Sequence, residues 1–313
     1  MKKITAIIMS VVMILLMSVT SFAAFTDMPK GEDGEVLQRA VDNDLITGFP
    51  NGTIQPATAI TRAQMATIMT RAMKATQKAD ISKFVDVKAG DWYYDAMAQA
   101  VSMEAFKGDN KQQLNPNNTI TRQEALIVLC RIFDVPDINA NALSEYSDSS
   151  QVASWATTEV RSMAAAGYLG NITEIRPLDA MTRLEFAQIM DRIVNTYIDE
   201  PGEYTALPAG NVLVRAENVT LKGIETDNVI FIGDGVESEV NFTDCTVHRM
   251  IVRGKKAVIN SGTYAYIRAI GNGTEVHLMK MPMELVKKFP NGKTGKFYAK
   301  PGKGTIVPPG MQQ

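Results

Sequence analysis

The feature that most constrains this chain is an internal repeat. Thr61, Thr121 and Thr182 lie 60 and 61 residues apart, and each opens a similar segment: "TRAQMATIM", "TRQEALIVL" and "TRLEFAQIM". Each is preceded at a similar distance by an aromatic-x-Asp triplet: Phe25-Thr26-Asp27, Phe84-Val85-Asp86 and Tyr146-Ser147-Asp148. Recurrence at a fixed period means that one supersecondary unit is used three times, over residues 25–76, 84–136 and 146–197. Within a unit, the Asp is followed by a helical segment, such as "WYYDAMAQAVSMEAF" in copy two. A loop with turn and breaker residues comes next, "TGFPNGTIQPATAI" in copy one and "KGDNKQQLNPNNTI" in copy two. The Thr-Arg helix closes the unit.

Most letters at the start of that second helix have a local explanation. Thr61, Thr121 and Thr182 are N-caps, and Gln64, Glu124 and Glu185 three residues on complete capping boxes. Ile60, Ile120 and Met181 precede the caps and can staple onto Met65, Ala125 and Phe186. The box does not explain Arg62, Arg122 and Arg183. A helix N-terminus carries unsatisfied N–H groups and about half a positive charge, so a cation there is disfavoured by a few tenths to about 1 kcal/mol. Two accounts are open. Each arginine is a strut paired with Asp27, Asp86 or Asp148, or it projects into a groove and meets an external anion, helped by free N–H groups of the same helix end.

Aromatic-x-Asp, a Trp-containing first helix, a Gly/Asp/Pro loop and a second helix opening Thr-Arg, in three tandem copies, resemble the S-layer homology family. The resemblance covers about 170 residues. It implies an all-α, pseudo-threefold arrangement of the copies, with grooves that hold acidic secondary cell-wall polysaccharide, commonly pyruvylated. The positions that match are Asp27, Asp86 and Asp148, Arg62, Arg122 and Arg183, and Trp92 and Trp155. An indole face suits the C–H face of a sugar ring, although either Trp would serve equally as a core wedge at the head of its helix. Copy one departs from the pattern, with Glu32 opposite Trp92, and copy three has a shorter loop, "YLGNITEIRP". On sequence alone copy two is the most complete, which ranks Arg122 first among the arginines and Arg62 last.

The flanks set the context. Lys2-Lys3, the apolar run Ile4 to Val19 and Ser21-Phe22-Ala23 before Ala24 read as a secretory signal peptide over residues 1–23, so the expected location is the outer cell wall or S-layer surface. No membrane association is expected after cleavage. A net charge of −2 with 21% charged residues gives no pointer to nucleic acid. Cys130 and Cys245 are expected as buried free thiols, and His248 and His277 lack metal-ligand spacing, so neither metal nor cofactor is implied.

Near residue 200 the texture changes. After a Pro/Gly-bearing linker, 198–210, short apolar runs begin at Val219, Val229, Val240, Met250, Ala257, Tyr266 and Val276. They fall into two interleaved series that step by roughly twenty residues, which suits a small β-solenoid over 211–281, with a β-sandwich as the alternative. Residues 282–313 read as a capping segment and tail. The fold class expected is therefore α+β multidomain. The function expected is that of a non-catalytic wall-bound protein whose partners are the polysaccharide and other surface-layer proteins. Two alternatives stay open: a polysaccharide-processing enzyme using Asp234, Glu237, Glu239 or Asp244, and a structural surface-layer subunit.

Overall fold

A computed structural model describes residues 25–279, 283–284, 297–299 and 304–307. The expected signal peptide and most of the expected tail lie outside these residues. Each copy of the repeat supplies two α-helices: α1 (Glu32–Asp42) and α2 (Arg62–Ala72), α3 (Tyr94–Ser102) and α4 (Arg122–Phe133), α5 (Thr157–Ala165) and α6 (Arg183–Ile193). The capping boxes of α2, α4 and α6 all form, with the Thr hydroxyl accepting from the third backbone N–H and the Gln or Glu side chain returning to the Thr N–H. None of the three helices pairs chiefly within its own copy. α2 packs on α3, α4 on α5 and α6 on α1, so each copy's second helix lies against the next copy's first.

The backbone repeats this exchange. Ile120 N–H donates to Ile60 O (3.0 Å), Met181 to Ile120 O (2.9 Å) and Ile60 to Met181 O (2.9 Å), a closed ring at the expected staple residues. All three side chains are buried. The next two N–H groups of each helix also leave their own copy. Arg62 and Ala63 donate to Asn118 O and Pro116 O, Arg122 and Gln123 to Asp179 O and Pro177 O, and Arg183 and Leu184 to Thr58 O and Pro56 O. These helix ends are therefore not free to meet an anion, because carbonyls of a neighbouring copy and the Thr hydroxyls already satisfy their first-turn donors.

The strands wind into two parallel sheets, and from β1 to β11 successive strands alternate between them. One sheet runs β1 (Thr196–Ile198), β3 (Val212–Val214), β5 (Glu225–Ile232), β7 (Cys245–Val252), β9 (Gly262–Ala269), β11 (Met283–Glu284), with β12 (Phe297–Ala299) also on β9. The other runs β2 (Gly202–Tyr204), β4 (Val219–Lys222), β6 (Glu239–Thr243), β8 (Lys256–Ile259), β10 (Thr274–Leu278), β13 (Gly304–Val307). Every ladder is parallel; from β1 to β11 each joins a strand to the one two places on, while β12 adds to β9 and β13 to β10. This is a β-solenoid of about five turns, not a sandwich. Its interior is apolar, with Val214, Ile232, Val252 and Ala269 stacked from the first sheet and Leu221, Phe242 and Ile259 from the second. β1 straddles the end of the third repeat and the start of the stretch that reads as a linker, β2 lies within that linker, and β11 to β13 lie in the stretch that reads as a tail. A helix-to-strand passage only two residues long, Val194-Asn195, joins the helical region to the solenoid. Cys130 and Cys245 are both buried and free.

The helices and the outer face of the first sheet share one core, distinct from the solenoid's interior. The first sheet turns a column of residues outward, Tyr197, Leu213, Phe231, Ile251 and Arg268 in register. Leu213, Phe231 and Ile251 join the buried cluster of the helices, and Phe231 meets Phe133 edge to face at 5.0 Å. Helix C-termini point at this sheet, where their unpaired carbonyls need donors. Arg215 Nη1 donates to Asn43 O at the end of α1 (3.1 Å), and Gly235 N–H to Met73 O at the end of α2 (3.0 Å). Arg253 Nη2 donates to Met103 O at the end of α3 (3.0 Å), and Arg249 Nη2 to Asp134 O at the end of α4 (2.6 Å).

Candidate functional site

Each repeat aspartate has the same task. Asp27 accepts from Ile54 N–H (2.7 Å) and Gln55 N–H (2.8 Å), Asp86 from Leu114 (3.0 Å) and Asn115 (2.7 Å), and Asp148 from Ile175 (2.8 Å) and Arg176 (2.6 Å). The second residue of each pair is left-handed, at φ 51°, 53° and 52° for Gln55, Asn115 and Arg176. The carboxylate thus holds a strained loop of its own copy. The Ile54 N–H is the main reason that the Asp27 carboxyl titrates below the usual range.

The arginines address the same loops from the neighbouring copy. Arg62 Nε donates to Leu114 O (2.8 Å), Arg122 Nε to Ile175 O (2.6 Å) and Arg183 Nε to Ile54 O (2.7 Å). Each loop residue is therefore held at its N–H by an Asp of its own copy and at its carbonyl by an Arg of another. The strut account survives in altered form: the ion-pair partners of Arg62 and Arg122 are Glu124 (3.1 Å) and Glu185 (3.0 Å), and not Asp27 or Asp86. Those glutamates already serve capping boxes. In copy one the equivalent residue is Gln64, which carries no charge, and Arg183 donates instead to Thr47 O (2.6 Å). Nothing in the repeat pattern pointed to this second use of the box glutamates except that copy one alone has Gln.

Exposure separates the three. Arg122 and Arg183 are only 4% and 7% exposed, whereas the Arg62 side chain is 14% exposed and its Nη2 bonds to no described residue. Arg62 lines a groove of about 800 Å³ whose other walls are Phe106, Lys107, Asp109, Glu124, Arg131 and Trp155. This groove joins all three copies. It unites Arg62 of copy one with the loop held by Asp86 in copy two and with Trp155 of copy three, 59% exposed. Trp92, expected beside Arg122, is 68% exposed and touches Tyr93 edge-on at 5.3 Å. The geometry orders the copies differently from the sequence: Arg62, placed last, lies in the large groove, and Arg122 is buried with Glu185, which Arg176 also engages. Lys107, Arg131 and Phe106 were not picked out by the repeat; Lys107 stands where the other copies have Thr47 and Gly170.

The carboxylates considered for catalysis are engaged. Asp234 pairs with Arg253 (2.5 Å) and Glu239 with Lys256 (2.5 Å), while Glu237 accepts from Thr76 (3.2 Å) and Asp244 from Ser261 (2.6 Å). Among the described residues no cluster of His, Cys, Asp and Glu could hold a metal ion, and no helix is long and apolar enough to cross a membrane.

The S-layer homology domain model matches this chain at residues 24–66, 83–126 and 145–187. Similar curated proteins include the surface-layer 125 kDa protein of Lysinibacillus sphaericus, 34% identical over 57% of this chain and 16% of that protein. The S-layer protein EA1 of Bacillus anthracis is 25% identical over 69% of this chain and 27% of its own length. The exoglucanase XynX of Acetivibrio thermocellus is 27% identical over 53% and 16%. The chain thus spans about a sixth of the first relatives it matches, and the enzymes match through the repeat region.

Proposed function

Residues 24–187 carry three S-layer homology domains, which indicate a cell-surface protein anchored to the cell wall, and we propose that the anchor is a non-covalent hold on acidic, pyruvylated secondary cell-wall polysaccharide. The groove of Arg62 and Trp155 carries this reading. A ketal carboxylate has a partly exposed guanidinium to meet and a sugar ring has an indole face beside it. We read the copies as a pseudo-threefold trimer, supported by the closed Ile60, Ile120 and Met181 ring. In this reading the chain is secreted and non-catalytic, in keeping with solenoid carboxylates that are each already engaged. Asp27, Asp86 and Asp148 shape the loops, Arg122 and Arg183 lock the copies, and Trp92 offers a further sugar platform.

The test is sedimentation of the protein with purified wall sacculi before and after their polysaccharide is extracted. Binding should be lost with the polysaccharide; undiminished binding to stripped peptidoglycan refutes the reading. A structural role in the surface layer is the second reading, favoured by similarity to S-layer proteins. Ordered sheets on removal of denaturant would decide for it.

A further inference from the structure

The large groove does not end at the helices. Lys107 and Arg131 line both it and a second cleft of about 230 Å³, whose remaining walls are Met103, Glu104, Asp134, Glu159, Arg253 and Ile270. Arg253 and Ile270 belong to the solenoid, so this cleft lies at the junction of the two regions. The three cations differ in availability. Arg253 is committed to Asp234 and the carbonyls of Ile132 and Met103. Arg131 is paired with Glu159 at 3.2 Å and is partly exposed. Lys107 is exposed and makes no ion pair with any described residue. Copy one has a counterpart cleft of about 380 Å³ with Asp44, Arg71 and Arg215, but its lysine, Lys74, is held by Asp199 at 3.0 Å.

The geometry points to a second anionic subsite at Lys107 and Arg131, so that a polysaccharide strand seated at Arg62 continues along the groove to the solenoid wall. The inference rests on the anchor reading and extends it: the site takes at least two acidic groups of one strand, carboxylate or phosphate, and the solenoid forms one of its walls. A compact lysine ammonium suits either anion without demanding bidentate geometry. Glu159 works against an incoming anion, both by its charge and by occupying Arg131.

Titration calorimetry with two probes tests this: polysaccharide extracted from sacculi, and the single acidic sugar obtained by its enzymatic hydrolysis. Lys107→Gln should weaken polymer binding about tenfold, the effect of losing one charge-assisted bond, and leave binding of the single sugar unchanged. Glu159→Gln should strengthen polymer binding, a gain that misfolding would not produce. Unchanged polymer affinity in both variants overturns the subsite and leaves the anchor standing. Failure of the unsubstituted protein to bind either probe overturns the anchor and the subsite with it. Polymer stripped of its ketals by mild acid identifies the group: a Lys107 effect that survives assigns phosphate, and one that disappears assigns carboxylate.

Discussion

Arg253 is the residue on which the union of helices and solenoid can be tried. It is buried, donates to the carbonyls of Met103 and Ile132 at the ends of two helices, and pairs with the partly buried Asp234. Arg253→Met removes the guanidinium and keeps much of the apolar stem. It strands the Asp234 carboxylate and uncaps both helix ends. Breaking a buried pair by deleting one partner costs about 3–5 kcal/mol. At roughly 2–4 °C per kcal/mol for a body of this size, Tm should fall by about 6–20 °C. The shared core makes a further demand: calorimetry should give one transition, and hydrogen exchange in peptides from α3 and α4 should rise together with exchange in β7 and β9. Adding Asp234→Leu should recover part of the loss, since it removes the stranded charge but not the uncapping. Two separate calorimetric transitions, of which the substitution moves only one, would refute the argument that the regions form one cooperative unit.

Three further outcomes follow from the same contacts. Arg62→Ala should weaken wall-polysaccharide binding more than tenfold, because the charge it supplies to the groove is worth about 1.5–3 kcal/mol; unchanged affinity by calorimetry would remove Arg62 from the site. Arg122→Ala should leave that affinity within about twofold and lower Tm, because the buried guanidinium ties Glu185 to Ile175; the reverse pattern would restore the sequence-based ranking. Burial pushes the Glu185 carboxyl up, but the Thr182 N–H, Arg122 and Arg176 outweigh it and hold the group below 4.5. Its stabilisation is thus complete above that value and lost as pH falls through the folded-state pKa. The Tm gap between the unsubstituted protein and Glu185→Gln should therefore be wide at about pH 7 and narrow as pH is lowered below 4.5; a gap independent of pH would show that charge is not what Glu185 contributes.

How much of this was legible in the sequence depended on the range of the interaction. Capping boxes involve residues three apart, and the Thr and Glu letters announce them without reference to the rest of the chain. The solenoid's two interleaved series were likewise readable, because each coil repeats the apolar runs of the one before. The assignment of residues to grooves was not. Nothing local to Arg62 says that its side chain ends at Leu114 and Glu124, 52 and 62 residues away, and aligning the copies invites the error of treating each as a self-contained site. The solenoid's hold on the helix ends was hidden for the same reason. Arg215 and Arg253 each follow a short apolar run in the sequence, and only the fold brings Asn43 and Met103 to them.

The cation at the anion-seeking end of a helix now has a physical cause. The unfavourable charge is real only where the first-turn N–H groups are unsatisfied, and here carbonyls of a neighbouring copy occupy them. With that donor set closed, an arginine one residue past the cap can send its Nε to the next loop carbonyl, and the box glutamate of the next copy can neutralise its charge. The arrangement works only in a closed ring, since each copy both lends an arginine and receives one. Asymmetry among the copies then decides which member of the ring can also serve a ligand. Gln64 removes a counter-charge from Arg183, Arg176 adds a second cation at Glu185, and among the described residues only at Arg62 does a partly exposed guanidinium coincide with an exposed indole and a lysine that has no ion pair with another described residue. A strict threefold repeat would have produced three equal sites; in the proposed reading the departures from it concentrate the anchoring groove in one.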